Sequence, residues 1–210
     1  IPRLGIQLYT LRDDCAKNFV ATLEAVAAMG YEGVEFAGVY GGLDPKELAA
    51  LLRRLKLACA GLHTSCEEIE NPASSTYAYA KAIQASYLTC GYCDGLADDF
   101  PNALRRSIAA AKVAQQQQRV FTYHNHNHEF RKLNGEYALD LFYRSTDRAL
   151  VQAEIDVYWV KKGGADPVPY LLKHAGRVPQ IHLKDMDGDD GSMTEVGNGI
   201  MDLPGIFNAA

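Results

Sequence analysis

The stretch "VFTYHNHNHEF", Val120–Phe130, joins a short apolar run to three histidines that occupy every second position. Successive side chains of a β-strand point to opposite faces, so this alternation predicts a strand whose last polar side chains share one face. The whole chain contains six histidines, and half of them lie in this stretch. Such a concentration of imidazoles predicts a functional site at the end of the strand.

Short runs typical of strands alternate with longer amphipathic stretches along the chain. The predicted strands cover residues 4–10, 33–38, 57–64, 86–93, 119–125, 150–159 and 179–185. The predicted helices cover residues 18–30, 44–55, 100–118 and 166–176, and a further helix begins within residues 199–210. Alternation at this spacing is typical of parallel βα units, which build either an open doubly wound sheet or a (β/α)8 barrel.

Two observations favour the barrel, an α/β fold of the TIM type. The first strand is not followed by the glycine-rich phosphate loop that a dinucleotide-binding sheet usually carries. Polar residues lie at the C-terminal ends of many different strands, which is where a barrel builds its site. We therefore expect residues 1–210 to form a single TIM-barrel domain.

The pattern predicts seven strands rather than the eight of a complete barrel. A barrel of this type needs ~250 residues, and an unclosed barrel would expose two bare strand edges. We therefore expect that the native protein continues past Ala210 and that this chain lacks the eighth strand.

Within the predicted strands, one parity is apolar and the other carries ionisable residues. The ionisable positions are Glu35, His63, His124, His126, Glu154, Asp156, His182 and Lys184. Gathering these groups at one barrel mouth without partners would be very costly. Imidazole and carboxylate ligands together suit a divalent transition metal, so the pattern predicts a metal site. A hydrogen bond or salt bridge would explain each residue alone, but their shared parity favours a site.

Composition and charge argue against several classes of partner. The net charge is -5 and basic runs do not exceed two residues, which is not the pattern of a nucleic-acid binder. Apolar runs stay short of the ~18 residues of a membrane-spanning helix, so we expect no membrane partner. A cytoplasmic location is favoured; export stays open because the chain starts at Ile1 without a methionine.

The five cysteines do not form a disulfide framework, because their number is odd and their spacing is irregular. Cys90 and Cys93 have C-x-x-C spacing, which leaves zinc or redox chemistry open. The sequence has no second C-x-x-C pair to complete a four-cysteine site. Buried thiols are therefore the favoured interpretation.

Several segments resemble those of a known family. The segments are "YHNHNHEF" (123–130), "EIDVYWVKKGGADPVPYL" (154–171), "GRVPQIHLKDMDG" (176–188) and "EVGNGIMDLPGIF" (195–207). They resemble the signature segments of the sugar phosphate isomerase/epimerase group, which are xylose-isomerase-like TIM barrels. "LGIQLYTLRD" (4–13) and "GYEGVEFAGVYG" (30–41) are similar to the first two strands of that group, so the resemblance covers nearly the whole chain.

The resemblance implies one divalent metal ion, which is manganese, magnesium, cobalt or zinc in typical epimerases of the superfamily. Those enzymes bind it with a glutamate on strand 5, an aspartate after strand 6, a histidine after strand 7 and a glutamate on strand 8. Asp156 and His182 match the aspartate and the histidine. His124 stands in the position of the strand 5 glutamate. The strand 8 glutamate would lie beyond Ala210, and Glu195 is not its equivalent because it lies before the last helix.

The histidine at position 124 is a departure from the family pattern with chemical consequences. The epimerases use the glutamates of strands 5 and 8 as a paired acid and base on the two faces of the substrate. With His124 in place of one glutamate, the pattern favours a one-base reaction. Dehydration or β-elimination next to a carbonyl, or a histidine-assisted isomerisation, would be such a reaction.

The resemblance and the polar strand ends together predict a metal-dependent isomerase or epimerase acting through an enediolate. Its substrate would be a small carbohydrate, that is a sugar, a sugar phosphate or a keto-inositol. The candidate catalytic residues are His126, Glu154 and Lys184. The candidate substrate-binding residues are Glu35, His63, Tyr9 and Trp159. The candidate metal ligands are His124, Asp156 and His182.

Three alternatives stay open at this point. The first is a dehydratase or lyase that acts on a keto-sugar or keto-inositol. The second is a phosphodiesterase similar to endonuclease IV, against which the acidic balance argues. The third is a non-catalytic barrel that binds a sugar. Self-association into a homo-oligomer is compatible with all of them.

Overall fold

A computed structural model describes residues 3–93 and 95–210 of the chain. The strands in these residues are β1 Gly5–Gln7, β2 Gly33–Ala37, β3 Ala58–Thr64, β4 Tyr87–Cys90, β5 Val120–His124, β6 Lys132–Leu133, β7 Glu136–Tyr137, β8 Val151–Asp156, β9 Gln180–His182, β10 Asp185–Met186 and β11 Met193–Thr194. The helices are α1 Arg12–Ala28, α2 Pro45–Leu55, α3 Cys66–Glu70, α4 Ser75–Ala82, α5 Phe100–Gln116, α6 Ala138–Arg144, α7 Val157–Lys162, α8 Pro167–Lys173 and α9 Leu203–Ala209. Among the described residues, none of these helices has the length and apolar character needed to cross a membrane.

The contacts divide the chain into two compact units. One unit is the chain up to Cys90 with Ala110–Phe121, and the other is Gly91–Ala109 with Thr122–Ala210. In the first unit the parallel strands follow one another in the order β1, β2, β3 and β4, and the start of β5 lies beside β4. In the second unit the end of β5 lies beside β8, and β8 pairs with β9 in parallel. The alternation of parallel strands and helices is as predicted.

Helix α2 shows how local sequence signals place an element in the first unit. Asp44 is the N-cap, and its carboxylate accepts hydrogen bonds from the backbone N–H groups of Lys46 and Glu47. The Glu47 side chain accepts one in return from the backbone of Asp44, which completes a capping box. Pro45 occupies the first turn, where its missing N–H costs nothing. The helix therefore begins within one residue of its predicted start.

Strand β1 is shorter than predicted, and this changes the position of Tyr9. The chain leaves the extended conformation after Gln7 and forms a 3-10 helix over Leu8–Leu11. The strand alternation used to place Tyr9 therefore does not apply to it. Its side chain is exposed, and the guanidinium of Arg12 lies 4.8 Å from its ring centre.

Helix α1 begins at Arg12 rather than at the predicted Asn18. The prediction located a real discontinuity, because Asn18 has a non-helical backbone with φ of -157° and ψ of 92°. Its side-chain oxygen accepts a hydrogen bond from the N–H of Ala21, as an N-cap does. The sequence signal at Asn18 therefore marks a kink inside a longer helix.

The predicted strand 150–159 ends early, at Asp156. The Asp156 carboxylate accepts a hydrogen bond from the N–H of Trp159 at 3.2 Å and becomes the N-cap of α7, which starts at the next residue. The apolar alternation through Val157 therefore continues into a helix that was not predicted. Cys90 and Cys93 are both buried, as the sequence indicates.

A buried acid joins helices α6 and α8 in the second unit. The Asp140 carboxylate lies 2.7 Å from the Lys173 ammonium and 3.1 Å from Nε2 of His174. Burial alone would raise the pKa of Asp140, but the hydrogen bonds from His174 and Lys173 outweigh it and lower that pKa. The carboxylate is therefore ionised in the folded protein and stabilises it.

We predict that Asp140→Asn lowers the free energy of unfolding by about 1–2 kcal/mol, because it removes a buried charge from its partners. The value lies below that of a fully buried pair because Lys173 is half exposed. Urea denaturation at pH 7 measures it. Glu136→Gln is the control, because it removes an exposed ion pair with Arg144 and should leave stability nearly unchanged.

The same pair of proteins gives a pH test with a defined sign. A carboxyl with a lowered native pKa contributes stability above its unfolded pKa of about 3.9 and loses it as the pH falls through the native value. The difference between wild type and Asp140→Asn should therefore shrink below about pH 4. A difference that grows on acidification would contradict the assignment.

Candidate active site

The end of strand β8 carries two carboxylates on one face. Glu154 and Asp156 are two residues apart, so their side chains point the same way, and both are fully buried. In the parallel pairing with β9, Asp156 lies opposite His182. Nε2 of His182 is 3.5 Å from Oε1 of Glu154, and Nδ1 is 3.7 Å from Oδ2 of Asp156. The imidazole of His182 therefore lies between the two acids.

The last residue of β5 completes a cluster of metal-ligating atoms. Nε2 of His124 is 3.3 Å from Oδ2 of Asp156, and the rings of His124 and His182 have their centres 4.7 Å apart. The ligand atoms of His124, Asp156 and His182 all lie within 4.8 Å of one another. The structure thus brings together the residues that the sequence predicts as metal ligands.

The two oxygens of Asp156 have different partners. Oδ1 accepts the N–H of Trp159, whereas Oδ2 faces His124, His182 and the ammonium of Lys184, which is 2.7 Å away. Burial would raise the pKa of Asp156, but the hydrogen bonds from His124 and His182 and the charge of Lys184 hold it well below its usual range. Asp156 is therefore a carboxylate under all ordinary conditions.

Asn125 fixes the backbone of Asp156, a role that the sequence analysis missed. Its side-chain oxygen accepts the N–H of Asp156 at 3.0 Å, and its amide nitrogen donates to the carbonyl of the same residue at 3.3 Å. Asn125 is fully buried. The sequence offered one indication of this role. Asn125 lies at a strand position whose side chains face the apolar side, and an amide buried there requires hydrogen-bond partners.

Glu129 organises the loop that follows β5, and it too was not predicted. It is fully buried and accepts hydrogen bonds from the N–H of His126 at 2.8 Å and the hydroxyl of Tyr123 at 3.1 Å. Nε2 of His128 lies 3.3 Å from Oε1 of Glu129, the oxygen that also accepts the Tyr123 hydroxyl. Burial raises the pKa of Glu129, although His128 and these hydrogen bonds oppose the rise. His128 therefore belongs to the support of the loop.

His126 is surrounded by aromatic rings. Its ring centre lies 4.9 Å from that of His124 and 5.3 Å from those of Trp159 and Tyr92. Burial, followed by the charges of His124 and His128, lowers the pKa of His126 to about 3. Within the described residues, its buried Nδ1 has no hydrogen-bond partner. The ring is therefore uncharged at neutral pH and can exchange a hydrogen bond with a ligand.

The remaining predicted substrate-binding residues fall into two groups. Trp159, in the first turn of α7, has its ring centre 5.7 Å from the Lys184 ammonium. Glu35 and His63 lie in the first unit, where Nε2 of His63 is 3.5 Å from Oε2 of Glu35. The same oxygen accepts a 2.9 Å hydrogen bond from the amide of Gln7. Tyr9, on its 3-10 helix, makes none of these contacts.

Comparison with known proteins places these residues in a family. The family model for xylose isomerase-like TIM barrels matches residues 23–210 of this chain. The chain belongs to the xylose isomerase-like TIM barrel family. The predicted α/β barrel class is thereby confirmed. No curated protein gives a significant sequence match.

Several solved structures share the fold of this chain at low sequence identity. A sugar phosphate isomerase/epimerase from Parabacteroides distasonis is 21% identical, with a TM-score of 0.81 over 99% of this chain and 82% of that one. A probable 3-DHS dehydratase from Bacillus anthracis is 12% identical, with a TM-score of 0.76 over 99% and 88%. A D-allulose 3-epimerase from Methylomonas sp. is 17% identical, with a TM-score of 0.66 over 90% and 74%. At these identities the likeness shows the fold alone.

Xylose isomerase-like barrels often bind a metal ion, and the donor set of this chain fits one. His124, Asp156 and His182 offer two imidazole nitrogens and an ionised carboxylate from three different strands. Such mixed nitrogen and oxygen donors suit zinc, cobalt or manganese.

Asp185, the residue after Lys184, anchors the glycine-rich segment 197–201. Among the described residues, its buried carboxylate accepts the backbone N–H groups of Met186, Gly197, Gly199 and Met201 at 2.8–3.1 Å. Burial would raise the pKa of Asp185, but these hydrogen bonds lower it. A side chain at Gly199 would lie 2.3 Å from the Asp185 carboxylate, so only glycine fits there. The sequence analysis did not predict this anchor because the loop residues follow it by 12 or more positions.

We predict that Asp185→Asn loosens the segment 197–201, because an amide has one acceptor oxygen for these N–H groups. Hydrogen exchange followed by mass spectrometry should show about tenfold faster exchange of the Gly197 and Gly199 amides. Asp187→Asn is the matched control, because within the described residues the side chain of Asp187 accepts a single hydrogen bond, from the N–H of Asp189. Equal protection in both variants would show that Asp185 does not hold the loop.

Proposed function

We propose that this protein is a divalent-metal-dependent isomerase or epimerase that acts on a sugar, a sugar phosphate or a keto-inositol. The main support for this proposal is geometric. The ligand atoms of His124, Asp156 and His182 lie within 4.8 Å of one another, and the ring of His126 lies beside that of His124. Membership of the xylose isomerase-like family and the named activity of the Parabacteroides distasonis neighbour support the same class.

In this proposal His124, Asp156 and His182 hold the cation. A divalent ion at this position supplies Lewis acidity toward the carbonyl and neighbouring hydroxyl oxygens of a substrate. Asn125 holds the backbone of Asp156, so the carboxylate stays in place when substrate enters. The aromatic rings of Trp159 and Tyr92 lie beside His126 and offer faces for a sugar ring.

Glu154 and His126 have different roles in this proposal. Glu154 faces Nε2 of His182 while Nδ1 faces Asp156, which resembles the carboxylate–histidine–metal arrangement that orients a ligand imidazole. We therefore assign Glu154 a positioning role. We assign the transfer of the substrate proton to His126, because its ring lies beside that of His124 and its buried Nδ1 is available.

A second candidate function is a dehydratase or lyase on a keto-sugar or keto-inositol. The histidine at position 124, where related epimerases have a glutamate, favours a reaction with one base. The likeness to the probable 3-DHS dehydratase of Bacillus anthracis points in the same direction. Product analysis by NMR separates the two functions, because elimination yields an unsaturated product and epimerisation does not.

We expect the metal-loaded protein to exchange one carbon-bound proton with D2O in at least one member of a panel of ketoses, keto-inositols and 3-keto-glucosides. Proton NMR follows the exchange, and chelation should abolish it. Asp156→Asn should slow it by at least about 100-fold, since it removes a ligand charge. Asp166→Asn is the control, because the Asp166 side chain caps α8 through the N–H of Val168 and asparagine caps equally well. Absence of exchange across the panel would refute enediolate chemistry.

The division of roles between Glu154 and His126 predicts opposite phenotypes. Glu154→Gln should weaken Mn²⁺ binding by about 10–100-fold, since it removes the negative charge that orients His182. His126→Gln should leave Mn²⁺ binding within about threefold of wild type and lower the proton-exchange rate by at least about 100-fold. Calorimetric titration and NMR exchange measure the two quantities. The reverse pattern would make Glu154 the base and His126 the support.

A further inference from the structure

Lys184 forms an ion pair with the oxygen of Asp156 that a divalent cation would need as a ligand. Its ammonium is 2.7 Å from Oδ2 of Asp156, the oxygen that also faces His124 and His182. The other oxygen, Oδ1, is engaged with the N–H of Trp159 at the start of α7. The carboxylate is fully buried, whereas 30% of the Lys184 side chain is exposed. The lysine can therefore leave the centre, but the carboxylate cannot.

The ammonium of Lys184 offsets the charge of the Asp156 carboxylate in this arrangement. An ionised carboxylate without such a partner would be very costly at full burial. A divalent cation brought to the same oxygen would stand beside the ammonium, and like charges in a buried site repel strongly. The ammonium and the cation are therefore alternative partners of Asp156.

We infer that Lys184 is the internal counter-ion of Asp156 and that a divalent cation bound by His124, Asp156 and His182 displaces it. This inference rests on the proposed metal site. The ring of Trp159 offers the displaced ammonium a second position, because its centre is already 5.7 Å from Nζ and an aromatic face attracts a cation. From there Lys184 binds an anionic or carbonyl oxygen of the substrate. Metal loading thus prepares the substrate site, and the protein without metal keeps its lysine bound.

The first test measures Mn²⁺ affinity by calorimetric titration, with no dependence on activity. Lys184→Met removes the competitor and should tighten Mn²⁺ binding by about tenfold or more. Lys184→Arg keeps the charge and should stay within about threefold of wild type. Lys161→Met is the matched control, since it removes the same charge from an exposed position on α7 and should leave the affinity unchanged. Equal affinity of wild type and Lys184→Met would overturn the inference and leave the metal site standing.

A second test uses the wild-type protein, in case Lys184→Met does not fold. Acetic anhydride labels exposed amines, and mass spectrometry quantifies each lysine. Saturating Mn²⁺ should make Lys184 label several-fold faster, with Lys161 unchanged. Slower or equal labelling of Lys184 in the Mn²⁺-loaded protein would overturn the displacement. If wild type and variants all fail to bind Mn²⁺, the proposed metal site falls, and this inference falls with it.

Discussion

The buried carboxylate of Asp156 is the constraint on which the rest of the site depends. A full charge with no exposed surface is tolerated only when every acceptor position has a partner. One oxygen accepts the N–H of Trp159 and thereby caps helix α7, and the other faces His124, His182 and Lys184. The end of a strand, the start of a helix and the candidate metal centre are therefore built around a single side chain.

Two further buried acids, Glu129 and Asp185, also have hydrogen-bond partners that hold nearby backbone in place. Glu129 ties the loop after β5 through the backbone of His126, and Asp185 ties the glycine-rich segment through backbone N–H groups. In both cases the carboxylate lies close in sequence to a residue of the site and binds a loop rather than a ligand. Such supports keep the side chains of a site in one geometry before substrate arrives, which is what precise proton transfer requires.

Much of the fold and of the candidate ligand set could be predicted, and the failures have physical reasons. The two-residue period of strands and the capping chemistry at Asp44 are local, so the sequence displays them directly. The strand predicted over 150–159 was wrong beyond Asp156 because a helix starts there without a turn signal. Asn125 was not recognised because its partner, Asp156, lies 31 residues away in the chain. The Asp185 anchor was missed for a similar reason.

The sequence by itself determined which side chains share a face. Glu154 and Asp156 must point the same way because they are two residues apart on a strand. Only the tertiary structure decided that His182 lies opposite Asp156, because that depends on the register between β8 and β9. Burial and neighbouring charges also decided that His126 is uncharged and that Lys184 bonds to Asp156. These properties arise from atoms brought together by folding, and alternation along one strand carries no information about them.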